Sequence, residues 1–182
     1  MSLSAPRYRH LCLSETATRS IAKRLATALH TPLVILLEGD LGSGKTLFAR
    51  SLIEELGIHE ESITSPTFTL VNSYPDARLP LHHFDLYRIG DPSELDLIGM
   101  EEYLDEQNLV LIEWPALGGS WIPAHHLHIS LEYVARQTQW RQLTFTAHGP
   151  LAQQVLHRFL AHDSHPYPDG SLSGERPGGQ LL

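Results

Sequence analysis

Eight consecutive residues carry chemistry that suits a phosphate: Gly39-Asp40-Leu41-Gly42-Ser43-Gly44-Lys45-Thr46. They fit G-x-x-x-x-G-K-[ST], the phosphate-binding loop. The glycines let the backbone curl, so that Leu41, Gly42, Ser43, Gly44, Lys45 and Thr46 can turn their amides toward one anion. Lys45 supplies a point charge for the outer phosphates of a nucleotide such as ATP. Thr46 offers a hydroxyl ligand for Mg²⁺. The chain has two lysines, Lys23 and Lys45, and the second sits where a triphosphate needs it. A lysine in such a loop is expected to face solvent, so its loss should leave the fold intact.

A loop that holds a triphosphate does not complete a catalytic site. An acidic group must hold Mg²⁺ directly or through water, and another must orient the attacking group. Glu113 ends the apolar run Leu109–Ile112, the arrangement of a Walker B segment with Glu in place of Asp. Asp85 ends His82-His83-Phe84. Each could instead be a solvated carboxylate, but an apolar strand that finishes in a lone carboxylate beside a nucleotide loop favours the functional reading. Thr67, after Ser65-Pro66, is either a switch hydroxyl that senses Mg²⁺ or the γ-phosphate, or an ordinary strand-start threonine. Arg88 could touch phosphate or pair with an acidic neighbour. Trp114 could stack on a base or a partner, or pack on the sheet. His125-His126-x-His128 has partial ligand spacing but no cysteine or carboxylate beside it. His82 and His83 point to opposite faces of a strand and cannot chelate one ion together.

These groups need a strand before the loop and a helix after it. Leu33–Leu37 reads as a buried parallel strand. Thr46–Leu56 reads as a helix with Leu47, Phe48, Leu52 and Leu56 on one side, closed by Gly57. Upstream, Arg7–Leu13 is an edge-strand candidate. Ser14 caps a helix whose inner face is Ala17, Ile21, Ala22, Leu25 and Leu29. Thr67–Tyr74 and Leu79–Leu86 read as an antiparallel hairpin. Asp91-Pro92 starts a helical stretch running toward Leu104, with Asp91 as the cap. Leu109–Glu113 is a second buried strand. Leu127–Tyr133 and Gln139–Ala147 alternate as a further hairpin, and Leu151–Leu160 closes as a helix with Leu151, Val155 and Phe159 inward. The expected architecture is a three-layer α/β fold of the P-loop NTPase type. Its sheet is mixed and mainly parallel, with helices on both faces and antiparallel hairpins.

With 182 residues, residues 1–161 are expected to form one domain. Residues 162–182 are rich in Pro, Gly and Ser and read as a disordered tail. The net charge of −8 argues against a protein that grips nucleic acid alone. Cys12 is the sole cysteine, which excludes an intrachain disulfide and a zinc cluster. No signal h-region and no apolar run of membrane-spanning length is legible, so a cytoplasmic location without membrane association is expected.

Taken together, the loop Gly39–Thr46, the segment Ser65-Pro66-Thr67-Phe68-Thr69-Leu70-Val71, then His83-Phe84-Asp85-Leu86-Tyr87-Arg88 and Glu113-Trp114-Pro115 resemble the TsaE (YjeE) family. The likeness runs from about Leu13 to Phe145. It implies a Mg²⁺-dependent ATPase subunit in the synthesis of threonylcarbamoyladenosine beside the anticodon of tRNAs that read A-starting codons. It implies partners, a threonylcarbamoyltransferase subunit and its dimer mate of the TsaD and TsaB type, which hold the tRNA. It further implies Thr46 and Glu113 as Mg²⁺ ligands and Asp85 near the hydrolytic water, with Lys45, Asp85 and Glu113 as the catalytic set. The competing reading is a small-molecule or nucleoside kinase. Such kinases need lid arginines, whereas Arg88 is isolated and Arg136 and Arg141 fall on a predicted hairpin. A GTPase would need an Asn-Lys-x-Asp segment, and neither lysine lies in one.

Overall fold

The computed structural model describes residues 5–105 and 107–161. The predicted tail, 162–182, lies outside the described residues. The frame is a seven-stranded sheet: β1 (Arg7–Cys12), β2 (Val34–Glu38), β3 (Val71–Tyr74), β4 (Leu81–Asp85), β5 (Leu109–Glu113), β6 (His126–Val134) and β7 (Gln137–His148), in the order β1-β7-β6-β2-β5-β4-β3. The four central strands are parallel. β2 pairs with both β5 and β6, and β4 pairs with β5. β7, β1 and β3 add antiparallel edges. The expected mixed α/β sheet of the P-loop NTPase type is therefore the observed one.

Helices cover both faces. α1 (Glu15–Ala28), α2 (Lys45–Glu55) and α5 (Pro150–Ala161) pack on one face, where Ile21, Leu25, Phe48, Leu52, Val155 and Phe159 meet the inward residues of the strands. On the other face, two single-turn helices, α3 (Glu94–Leu97) and α4 (Met100–Tyr103), join a 3-10 segment, Pro115–Trp121, over Leu36, Phe84, Val110 and Ile112. Local chemistry sets the ends. The Ser14 hydroxyl accepts from the Ala17 amide at 3.1 Å and caps α1. α2 stops before Gly57, whose φ of 100° is left-handed.

Several expectations shift. The predicted strand Thr67–Tyr74 begins only at Val71. Leu70 sits at φ 69°, and its amide closes a turn onto the Pro66 carbonyl at 2.7 Å. The helix expected from Asp91 is two turns broken at Gly99, φ 68°, and Ser93 rather than Asp91 precedes the first. Asp91 instead accepts from the Ser93 amide at 2.8 Å. Leu151, expected to point inward, is 47% exposed, because α5 turns Ala152 and Val155 to the core. Leu47 is half-buried, and Phe48, Ala49, Leu52 and Ile53 form the inner side of α2.

Candidate nucleotide site

The chemistry-bearing residues converge at the carboxyl ends of the parallel strands. β2 runs into the loop 39–44, and α2 starts at Lys45 with Gly44 as its cap. The backbone is held so close to β6 that a Cβ on Gly39 would lie 2.4 Å from the Leu131 carbonyl oxygen. Only glycine fits that approach. Beside the loop, Asp85 and Glu113 end adjacent parallel strands in direct register. Both are almost fully buried, at 4% and 1% exposure. A carboxylate removed from water needs partners, and both have them.

Glu113 accepts from the Thr46 hydroxyl through Oε2 at 2.9 Å and from His83 Nε2 through Oε1 at 2.9 Å. Asp85 accepts from the Tyr87 amide at 3.1 Å through Oδ1 and from the Thr67 hydroxyl at 2.5 Å through Oδ2. The Ser65 and Thr67 hydroxyls are 2.8 Å apart. Lys45 is only 4% exposed. Its ammonium donates to the Gly39 and Asp40 carbonyls at 2.8 and 3.0 Å and lies 3.6 Å from the centre of the Trp114 ring. Burial pushes the Lys45 pKa down, while Glu113, Asp85 and Asp40 oppose that shift by their charge.

Lys45, Thr46, Thr67, Asp85, Glu113 and Trp114 line one cleft of about 270 Å³. Among the described residues lining it, Lys45 is the sole cation. The donor set of one hydroxyl and two carboxylates is all oxygen, which suits a hard cation such as Mg²⁺. The N-terminus of α2 and the loop amides suit the phosphates such a cation accompanies.

Leu41, at 70% exposure, stands at the mouth, and Ser43 is buried under the loop. Trp114, at a left-handed φ of 59°, packs on Tyr87 with ring centres 5.1 Å apart, so its indole is part of the wall. Arg88 stacks over Phe68, 4.3 Å from the ring centre. Of the histidines with ligand spacing, His126 stacks on His148 at 4.5 Å and His128 bonds Glu38 at 2.7 Å.

Two side chains that bear on the site were named in the sequence but given no part in it. His83 is fully buried and bonds Glu113. The period of two along a strand puts it on the same face as Asp85, and that was the available signal. Arg141 reaches from β7 to the outside of the loop, donating to the Ser43 carbonyl at 2.9 Å and to the Gly42 carbonyl at 3.3 Å. Its distance of about a hundred residues from the loop left no sequence signal.

A family model described as threonylcarbamoyl adenosine biosynthesis protein TsaE matches residues 12–142, most of the chain and all of the cleft. The chain belongs to the TsaE family. Relatives named as tRNA threonylcarbamoyladenosine biosynthesis protein TsaE agree. One from Bacillus subtilis is 40% identical over 147 residues, covering 81% of this chain and 90% of its own. One from Haemophilus influenzae is 38% identical over 133 residues, covering 72% and 82%. A crystal structure of YdiB from Bacillus subtilis superposes with a TM-score of 0.74 at 33% identity, covering 89% of this chain and 99% of that one. The fold is thus shared by a solved structure.

Proposed function

We propose that this chain is the ATP-binding and ATP-hydrolysing subunit required for threonylcarbamoyladenosine formation at the adenosine next to the anticodon of tRNAs that read A-starting codons. It acts with a threonylcarbamoyltransferase complex of the TsaD and TsaB type, which holds the tRNA. The carrying observation is one cleft in which Lys45 and Thr46 of the loop meet Asp85 and Glu113 from neighbouring strand ends.

In this reading the loop amides from Leu41 to Thr46, apart from Ser43, whose amide bonds the Asp40 carbonyl at 3.1 Å, bind the phosphates, and Lys45 balances charge on the outer ones. Thr46 and Glu113 would hold Mg²⁺, which neutralises the charge developing on the transferred phosphoryl group. Asp85 takes the proton side of the reaction, orienting the attacking water with one oxygen while the Tyr87 amide steadies the other. Thr67 donates to the same carboxylate, which couples the segment 65–69 to the group that orients the water. Trp114 and the nearly complete burial of both carboxylates keep bulk water out.

Lys45 is the sole cation lining the cleft among the described residues. The charge that a transferred phosphoryl group needs can be supplied in trans. The partner complex is the proposed supplier, and its docking would set the 65–69 segment over the nucleotide. No described helix is long and apolar enough to cross a membrane, and a cytoplasmic site of action fits.

The test is ATP hydrolysis by the subunit alone, by the partner complex alone and by the mixture, with tRNA modification followed in parallel. Turnover above the sum of the separate rates supports the reading. A mixture that shows only the sum, with modification cycling equally well on Lys45→Ala, overturns it. A phosphorylated small-molecule product would instead support the kinase alternative.

A further inference from the structure

The outside of the phosphate loop is tied down as closely as its inside is open. Three successive carbonyl oxygens point away from the cleft, and all three accept from the β6–β7 hairpin. Leu41 accepts from the Tyr133 hydroxyl at 3.0 Å, Gly42 from Arg141 Nη2 at 3.3 Å and Ser43 from Arg141 Nε at 2.9 Å. The two side chains brace each other, with the guanidinium 4.2 Å from the centre of the Tyr133 ring. Arg141 is itself held by two more carbonyls, Thr138 at 2.9 Å and Trp140 at 2.8 Å. The contact leaves no slack: a Cβ on Gly42 would lie 2.8 Å from the Tyr133 hydroxyl. A peptide unit is rigid and planar, so fixing its C=O on one side fixes the following N–H on the other. Holding the carbonyls of Leu41 and Ser43 therefore aims the amides of Gly42 and Gly44, while the peptide unit held through the Gly42 carbonyl turns its Ser43 amide back onto the Asp40 carbonyl at 3.1 Å.

We infer that Arg141 and Tyr133 are positioning residues that preset the phosphate-binding amides, so that the β6–β7 hairpin governs nucleotide affinity from behind the loop. The inference rests on the loop being the nucleotide site. A planar fork that grips two adjacent carbonyls and stacks on a ring cannot be replaced by an ammonium. Charge alone is then not the working element. The loop serves the phosphates common to ATP and ADP, so the brace acts on both ligands and acts without Mg²⁺.

The experiment is a calorimetric titration of the full chain with ATP and with ADP, each in Mg²⁺ and in EDTA. The proteins are wild type, Arg141→Lys, Arg141→Gln, Tyr133→Phe and Lys45→Ala. Arg141→Lys and Arg141→Gln should each weaken both nucleotides about tenfold, by a similar factor with and without Mg²⁺. Tyr133→Phe, which keeps the ring and loses one bond, should weaken them about threefold. Thermal melts without nucleotide show whether each variant folds. Tyr133 is half-exposed, so its variant keeps the test open if the arginine variants do not fold. Full affinity in Arg141→Lys would show that charge suffices and would overturn the positioning role. Unchanged affinity in all three brace variants, with binding lost in Lys45→Ala, would overturn the inference and leave the nucleotide site standing. No binding by wild type would remove the site itself.

Discussion

In the half of the sheet built from β2, β5 and β4, Val34–Leu37 and Leu109–Ile112 are unbroken apolar runs, and every residue of β5 from Leu109 to Glu113 is buried. In the half built from β1, β7 and β6, burial alternates residue by residue along β1 and the first part of β6. The first half is covered on both faces, by α2 on one side and by α3, α4 and the 3-10 segment on the other. The second is covered on one. Leu127, Ile129, Leu143 and Phe145 face the helices, while His128, Thr144 and His148 on the opposite face belong to neither core cluster. Parallel strands connected through helices are buried on both sides, whereas antiparallel hairpins can leave one side wet. The difference assigns the work. The doubly covered half places carboxylates at dry strand ends, where their electrostatics are strong. The half with one open face supplies a hairpin that reaches across to hold the loop.

The largest test of this contrast is mechanical. Phe84→Ala, in the doubly covered half, should cost about 3–5 kcal/mol of stability, while Thr144→Ala on the open face should stay within about 0.5 kcal/mol. Denaturant unfolding of both variants checks it, and equal losses would mean that the open face is packed.

Next come the two carboxylates, which share burial but not partners. Glu113 bonds the Thr46 hydroxyl, whereas Asp85 bonds Thr67 and the Tyr87 amide. Glu113→Ala should raise the Mg²⁺ needed for ATP binding by about tenfold or more, since a charged oxygen ligand is lost. Asp85→Ala should leave binding and slow turnover by about a hundredfold. Nucleotide titrations across Mg²⁺ concentrations and single-turnover rates separate them. Reversed effects would exchange the two roles.

The smallest effect concerns acid. Burial lowers the pKa of His82, His126 and His148 from 6.5, and the neighbouring His128 and Arg7 push His148 the same way. His126 also feels His148, His128 and His125, while its bond to the Pro123 carbonyl opposes the shift. Below pH 6.5 the unfolded chain therefore binds more protons than the folded one, and stability present above that pH is lost as pH falls. Urea midpoints should decline between pH 7 and 5. The double variant His126→Gln, His148→Gln should flatten that decline, and an unchanged slope would place its origin elsewhere.

Much of this was legible in the sequence. The loop, the two apolar strands, the Ser14 cap and the carboxylates Asp85 and Glu113 are local patterns, carried by residue type and a period of two or 3.6. What escaped depends on contacts distant in sequence or on single backbone angles. Lys45 reads as a solvent-facing loop lysine, yet the Trp114 ring covers it. Its alanine variant therefore loses a packing contact as well as a charge. Thr67–Leu70 has strand composition, but the left-handed Leu70 turns it into a loop that reaches Asp85. Arg141 becomes part of the site only when the hairpin folds against the loop.

The central claim is that the cleft of Lys45, Thr46, Asp85 and Glu113 holds ATP with Mg²⁺. It is tested most directly by calorimetric titration of ATP into wild type and Lys45→Ala under the same Mg²⁺ concentration, with a melt of each protein alone. The account predicts one site per chain in wild type and an affinity at least about a hundredfold lower in a Lys45→Ala protein that still melts cooperatively. Equal affinity in the two folded proteins would contradict it.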